Sequence, residues 1–86
     1  MPRISYFYGI SIQMFFDDHR PPHIHAKYNE FKARFDIETG AVLSGQLPLP
    51  AKRLVQDWIA QRSGELAANW NRMEKGEDMV YIEGLK

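Results

Sequence analysis

Residues 23–37 constrain the fold of this chain more than any other stretch. They read His-Ile-His-Ala-Lys-Tyr, then Asn-Glu, then Phe-Lys-Ala-Arg-Phe-Asp-Ile, which is two alternating runs about a two-residue turn. Asn29 tolerates the positive φ that a tight hairpin turn needs, although Glu30 is a weaker second turn residue than glycine. With 29 and 30 as the loop, Tyr28 pairs with Phe31, Ala26 with Ala33 and Ile24 with Phe35, so one face is apolar. The other face then pairs Lys27 with Lys32, His25 with Arg34 and His23 with Asp36. A slip of one residue would send every side chain to the wrong side, so pattern and turn specify the register together.

The hairpin has strands on both sides of it. From Ile4 to Phe16 the even-numbered residues are apolar or aromatic, which predicts one long strand with Ile4, Tyr6, Tyr8, Ile10, Ile12, Met14 and Phe16 on the core face and a bulge at Gly9. On that reading Phe7 and Phe15 lie on the polar side and mark a homodimer surface. Residues 17–22, Asp-Asp-His-Arg-Pro-Pro, end the strand, because two prolines remove two ladder donors in succession; Asp17, Asp18 and His19 are suited to capping this turn through their side chains. Residues 38–40 form a second turn, and residues 41–47 a further strand that Gly45 weakens.

At Pro50 the period changes. Ala51, Leu54, Val55, Trp58 and Ile59, then Leu66, Trp70 and Met73, follow helical spacing, broken at Ser63-Gly64 and stopping near Gly76. The tryptophans are read as core anchors, with Phe16, Phe31 and Phe35 beneath them. Residues 79–82 form a short strand or a docked tail. A run of strands followed by helices predicts an α+β fold, an antiparallel meander of about four strands packed by one or two C-terminal helices, with residues 1–86 as a single domain.

At 86 residues a domain buries only about 60–65% of its unfolded surface, so a site should be shallow or shared between subunits. The chain has no cysteine, which excludes a disulfide framework, a thiolate metal site and a cysteine nucleophile, and leaves His and carboxylate as metal ligands. Lys plus Arg and Asp plus Glu are both 11, so the formal charge is zero and a globally basic nucleic-acid binder is disfavoured. No apolar run reaches a membrane span and no signal peptide is legible, so a cytoplasmic protein without membrane contact is expected.

Several stretches together resemble a known family. The opening Pro2-x-Ile4-Ser5-x-Phe7-Tyr8-Gly9-Ile10, the Asp18-His19-x-Pro21-Pro22-His23-x-His25 signature, the Gly45-x-Leu47-Pro48 step and the helices bearing Trp58 and Trp70 are similar to the domain-of-unknown-function family 4160. The one visible departure is Asn29, where many members carry glycine. The resemblance implies a small, mostly bacterial protein with no established activity. It also implies a regulatory pair of toxin–antitoxin type, since such genes often sit beside another small gene, whose product would be a partner protein.

Three readings of the signature compete. In the first, His23 and His25 share a strand face, and Asp18 and His19 from the preceding turn complete a set for zinc or a similar divalent ion. His23, His25 and Glu30 also match the spacing of a cupin motif, but the chain is too short for a cupin barrel. In the second, His19, Arg20, Lys27, Lys32 and Arg34 join the histidines in a face for RNA or another anion. If that face is catalytic, His23, oriented by Asp36, and His25 are the acid–base candidates of a small hydrolase or ribonuclease-like enzyme. In the third, the signature only stabilises turn and hairpin, and Lys27 and Lys32 guard against edge pairing.

Overall fold

The structure is a computed structural model and describes residues 3–16 and 18–85. Asp17, expected to help cap the turn, lies outside the described residues. The expected α+β architecture is present, with five strands rather than about four. β1 (Arg3–Phe7), β2 (Ile10–Gln13), β3 (His23–Tyr28), β4 (Phe31–Asp36) and β5 (Val42–Gln46) form one antiparallel meander in sequence order, followed by α1 (Leu49–Gln61) and α2 (Ser63–Glu74).

The β3–β4 register agrees with the sequence pattern at every pair, from His23 opposite Asp36 to Tyr28 opposite Phe31, and Asn29 takes φ 53° in the turn. The extra strand arises at Tyr8-Gly9. Both residues adopt positive φ, 50° and 77°, and Phe7 pairs with Ile10, so the expected bulge is a two-residue hairpin turn with the signs of a type I′ loop. A second irregularity resets the parity. The pairing jumps from Arg3–Gln13 to Ser5–Ile12, so Ile4 is an extra residue in β1. Beyond it Phe7 faces the core against the Trp58 ring, with centroids 5.2 Å apart, whereas Tyr6 and Tyr8 face solvent. Phe7 is therefore not a dimer-surface residue. Phe16 is exposed as well, so it does not lie beneath the tryptophans.

The apolar face of the sheet (Ile10, Ile12, Ile24, Ala26, Ala33 and Phe35) shares one core with Ala51, Val55, Trp58 and Ile59 of α1 and Leu66, Trp70 and Met73 of α2. The two helices are separate elements that meet at Arg62, whose φ −115° and ψ 21° are non-helical. Pro50 sits in the first turn of α1, where a missing N–H costs nothing.

Residues 79–82 are a docked tail. The Ile82 amide donates to the Ile4 carbonyl (2.7 Å), and Trp58 Nε1 donates to the Glu83 carbonyl (2.8 Å). Asn69, fully buried in α2, holds both backbone groups of Val80: its Nδ2 donates to the carbonyl (2.7 Å) and its Oδ1 accepts the amide (2.9 Å). Asn69→Ala removes both bonds at once. It is expected to cost about 1–3 kcal/mol in urea unfolding and to speed amide exchange at Ile82.

Candidate metal centre

The loop between β2 and β3 carries the signature, and local hydrogen bonds shape it. The Asp18 amide donates to the Phe15 carbonyl (3.2 Å), while Asp18 Oδ2 accepts the Phe15 amide (3.3 Å), closing a turn that aims the carboxylate back at the sheet. The Arg20-Pro21 peptide is cis. The Ile37 amide donates to the Pro22 carbonyl (3.1 Å), tying the loop to the end of β4.

This folding brings Asp18 over the polar face at His23 and His25. A ligand atom from each of the three residues lies within 4.8 Å of the other two. Asp18 Oδ2 is 3.1 Å from His25 Nε2 and 3.4 Å from His23 Nε2. Two ligands bound at about 2.0–2.1 Å in tetrahedral geometry stand about 3.3 Å apart, so these spacings match a shared ion.

His23 supplies the sharpest feature. Its Nδ1 lies 2.7 Å from the Pro21 carbonyl, which can only accept, so Nδ1 carries the proton and donates. In the neutral ring Nε2 is then a bare lone pair. It is buried, meets no hydrogen-bond partner, and faces a carboxylate oxygen that is also an acceptor. Leaving such a group unmet costs about 1–3 kcal/mol. The His23 ring packs near the Trp70 ring of α2 and the His25 ring, with centroids 5.4 Å and 5.2 Å away.

His25 is half-buried. Its ring packs T-shaped with Phe15, centroids 4.6 Å apart, and its Nε2 hydrogen-bonds Asp18. Its pKa is lowered from the ordinary 6.5, mainly by burial; Asp18 opposes the shift, and the charges of His23 and Arg34 add to it. The folded protein thus favours the neutral imidazole that a metal requires. The stability associated with this group is present above the unfolded pKa and is lost as pH falls through the lower, folded value.

The other candidates are placed apart. His19 is exposed and outside the three-residue cluster, although it borders a shallow depression with Asp18, His23 and Arg34. Arg20 pairs with Glu74 of α2 (3.0 Å). Asp36 is the cross-strand neighbour of His23, but its Oδ1 accepts the amides of Glu38 (2.7 Å) and Thr39 (3.1 Å), so it caps its own turn instead of orienting the histidine. The orienting group is the Pro21 carbonyl, which sequence reasoning missed because a backbone acceptor leaves no mark in residue type. Glu30 lies in the hairpin turn, away from His23, as the cupin comparison requires for its rejection.

Lys27 and Lys32 are exposed neighbours across β3 and β4. These are interior strands of the sheet, so the lysines do not guard an edge. Among the described residues no helix is long and apolar enough to cross a membrane.

In comparisons with known proteins, a family model described as Domain of unknown function (DUF4160) matches residues 9–71, a span that includes Asp18, His23 and His25. No curated protein and no solved structure matches the chain.

Proposed function

Because the chain belongs to the DUF4160 family, whose description assigns no activity, we propose its function from the site itself: it binds a divalent metal ion through Asp18, His23 and His25. The observation that carries this reading is the buried, unpartnered Nε2 of His23 facing the Asp18 carboxylate. A cation between them would meet both lone pairs. The Pro21 carbonyl on Nδ1 is the kind of outer partner that metal-ligating histidines use to hold tautomer and ring orientation. Two imidazoles and one carboxylate suit zinc and other borderline divalent ions, and three protein ligands leave a coordination position for water or a ligand. The finer expectation of a toxin–antitoxin-type module contacting RNA rests on resemblance and surface charge alone. The metal reading has convergent ligand atoms in addition.

Calorimetric titration with zinc at pH 7.5 should give one equivalent of binding. A metal on His25 Nε2 sends the hydrogen shared with Asp18 to Nδ1 of the same neutral ring, so uptake should release protons only as pH falls into the histidine range. Affinity should fall as pH drops below the histidine range. Asp18→Asn, which keeps an oxygen for the Phe15 amide, and His25→Gln should each weaken binding at least about 100-fold without unfolding the protein. A wild-type protein that takes up no zinc, cobalt or manganese, or variants that bind as wild type, would refute the site.

A further inference from the structure

A groove of about 480 Å³ runs along the polar face from His25, lined by Gln13, Phe15, Lys27, Lys32 and Ser44. Building on the metal reading, we propose that this groove holds the phosphate of a phosphate-bearing ligand, with Lys27 and Lys32 neutralising it beside the ion at His25. Three observations carry the assignment. First, the lysines are directly opposed across two paired strands, an arrangement that repels unless an anion lies nearby, and among the described residues neither forms an ion pair. Their position in the sheet interior removes the other common reason for such lysines, protection of an edge.

Second, Lys27 is two residues beyond His25 on β3, so the two side chains leave the same face about 6.6 Å apart along the strand. That spacing lets one phosphate reach an ion on His25 with one oxygen and the ammonium groups with the others. Third, the groove is larger than a phosphate alone. Its volume lies in the range of about 300–1,000 Å³ of small-ligand sites, and the Phe15 ring gives it an apolar wall against His25. A nucleotide-sized phosphate ester fits that combination. The overall neutral charge of the chain is no objection, because the groove-lining residues include cations and no carboxylate.

The test uses zinc-loaded protein and three probes: inorganic phosphate, adenosine monophosphate and a short single-stranded RNA. The proposal expects saturable binding of the phosphate ester that weakens as salt rises. The double variant Lys27→Ala/Lys32→Ala, altered only at exposed positions, should lose at least tenfold in ester affinity while its zinc isotherm stays as in wild type. RNA binding much more tightly than the monophosphate, with a steeper salt dependence, assigns the groove to a polynucleotide backbone; equal affinities assign it to a mononucleotide. A double variant that binds all three probes as wild type overturns the proposal. Failure of the metal reading is visible separately as a flat zinc isotherm in both proteins, in which case lysine-dependent ester binding in chelator still supports the groove.

Discussion

Trp58→Ala is expected to lower stability by about 3–5 kcal/mol, the range for truncating a fully buried large aromatic. Trp58 joins three parts of the molecule. Its backbone belongs to α1, its ring packs on Phe7 of β1, and its Nε1 donates to the carbonyl of Glu83 in the tail. Truncation therefore leaves a cavity between helix and sheet and removes the bond that holds the end of the tail. A domain of this size has roughly 4–13 kcal/mol in total, so the loss takes a large share of it and should lower the melting temperature by at least about 12 °C. Trp58→Phe separates the two contributions. It keeps most of the apolar contact and loses the donor, and should cost about 1–2 kcal/mol in urea denaturation. A Trp58→Ala protein that melts within a few degrees of wild type would show that the helix is not anchored through this ring.

Gly45→Ala should have a comparable effect by a different route. Gly45 sits at φ 75°, where an L side chain costs about 1–2 kcal/mol, and a Cβ there would collide with the Lys32 carbonyl and stand 3.0 Å from Ala33 Cα. Those neighbours are backbone atoms of β4, held in turn by β3, so no side chain can move aside. The expected result is release of β5: the ladder from Lys32–Gln46 to Phe35–Val42 opens, and the Arg34 Nε bond to Ser44 Oγ (2.7 Å) is lost. Hydrogen exchange should show lost protection confined to the β4–β5 ladder, together with a drop in overall stability of at least about 2 kcal/mol. Gly64→Ala is the control. It lies in the first turn of α2 with nothing within 4 Å of an added Cβ, and should leave stability unchanged or raise it slightly. Equal behaviour of the two variants would refute the steric account.

Gly45 also shows where residue patterns mislead. In sequence it reads as a weak point in a strand, since glycine has no side chain to pack. In the folded protein it is the residue that allows β5 to approach the backbone of Lys32 and Ala33 in β4, two residues from the bulge at Leu43, where the register shifts between Arg34 and Phe35. The N-terminal strand misleads in the same way. Alternation through 4–16 holds as a pattern of letters, but the Tyr8-Gly9 turn and the extra residue at Ile4 break the geometry it stands for, and Phe7 exchanges places with Tyr6 and Tyr8. Period-2 reasoning assumes an uninterrupted ladder, and neither interruption carries a strong turn dipeptide.

What the amino-acid sequence determined by itself is whatever depends on neighbours a few residues away. The β3–β4 register followed from alternation on both sides of a two-residue turn, the helical half from a change of period at Pro50, and the limitation to His and carboxylate ligands from the absence of cysteine. Only the tertiary structure decided which candidates come together. Alternation places His23, His25 and Asp36 on one face, yet Asp36 is held by the amides of its own turn, and Asp18 is brought over the histidines by a loop whose path depends on bonds to Phe15 and to the far end of β4. His23, whose Nε2 is buried without a hydrogen-bond partner, also packs its ring near Trp70 of the second helix. Register is a local property because the side-chain period is built into the backbone. The convergence of ligand atoms is not, because it requires the loop, the sheet and the helix to be in place at once.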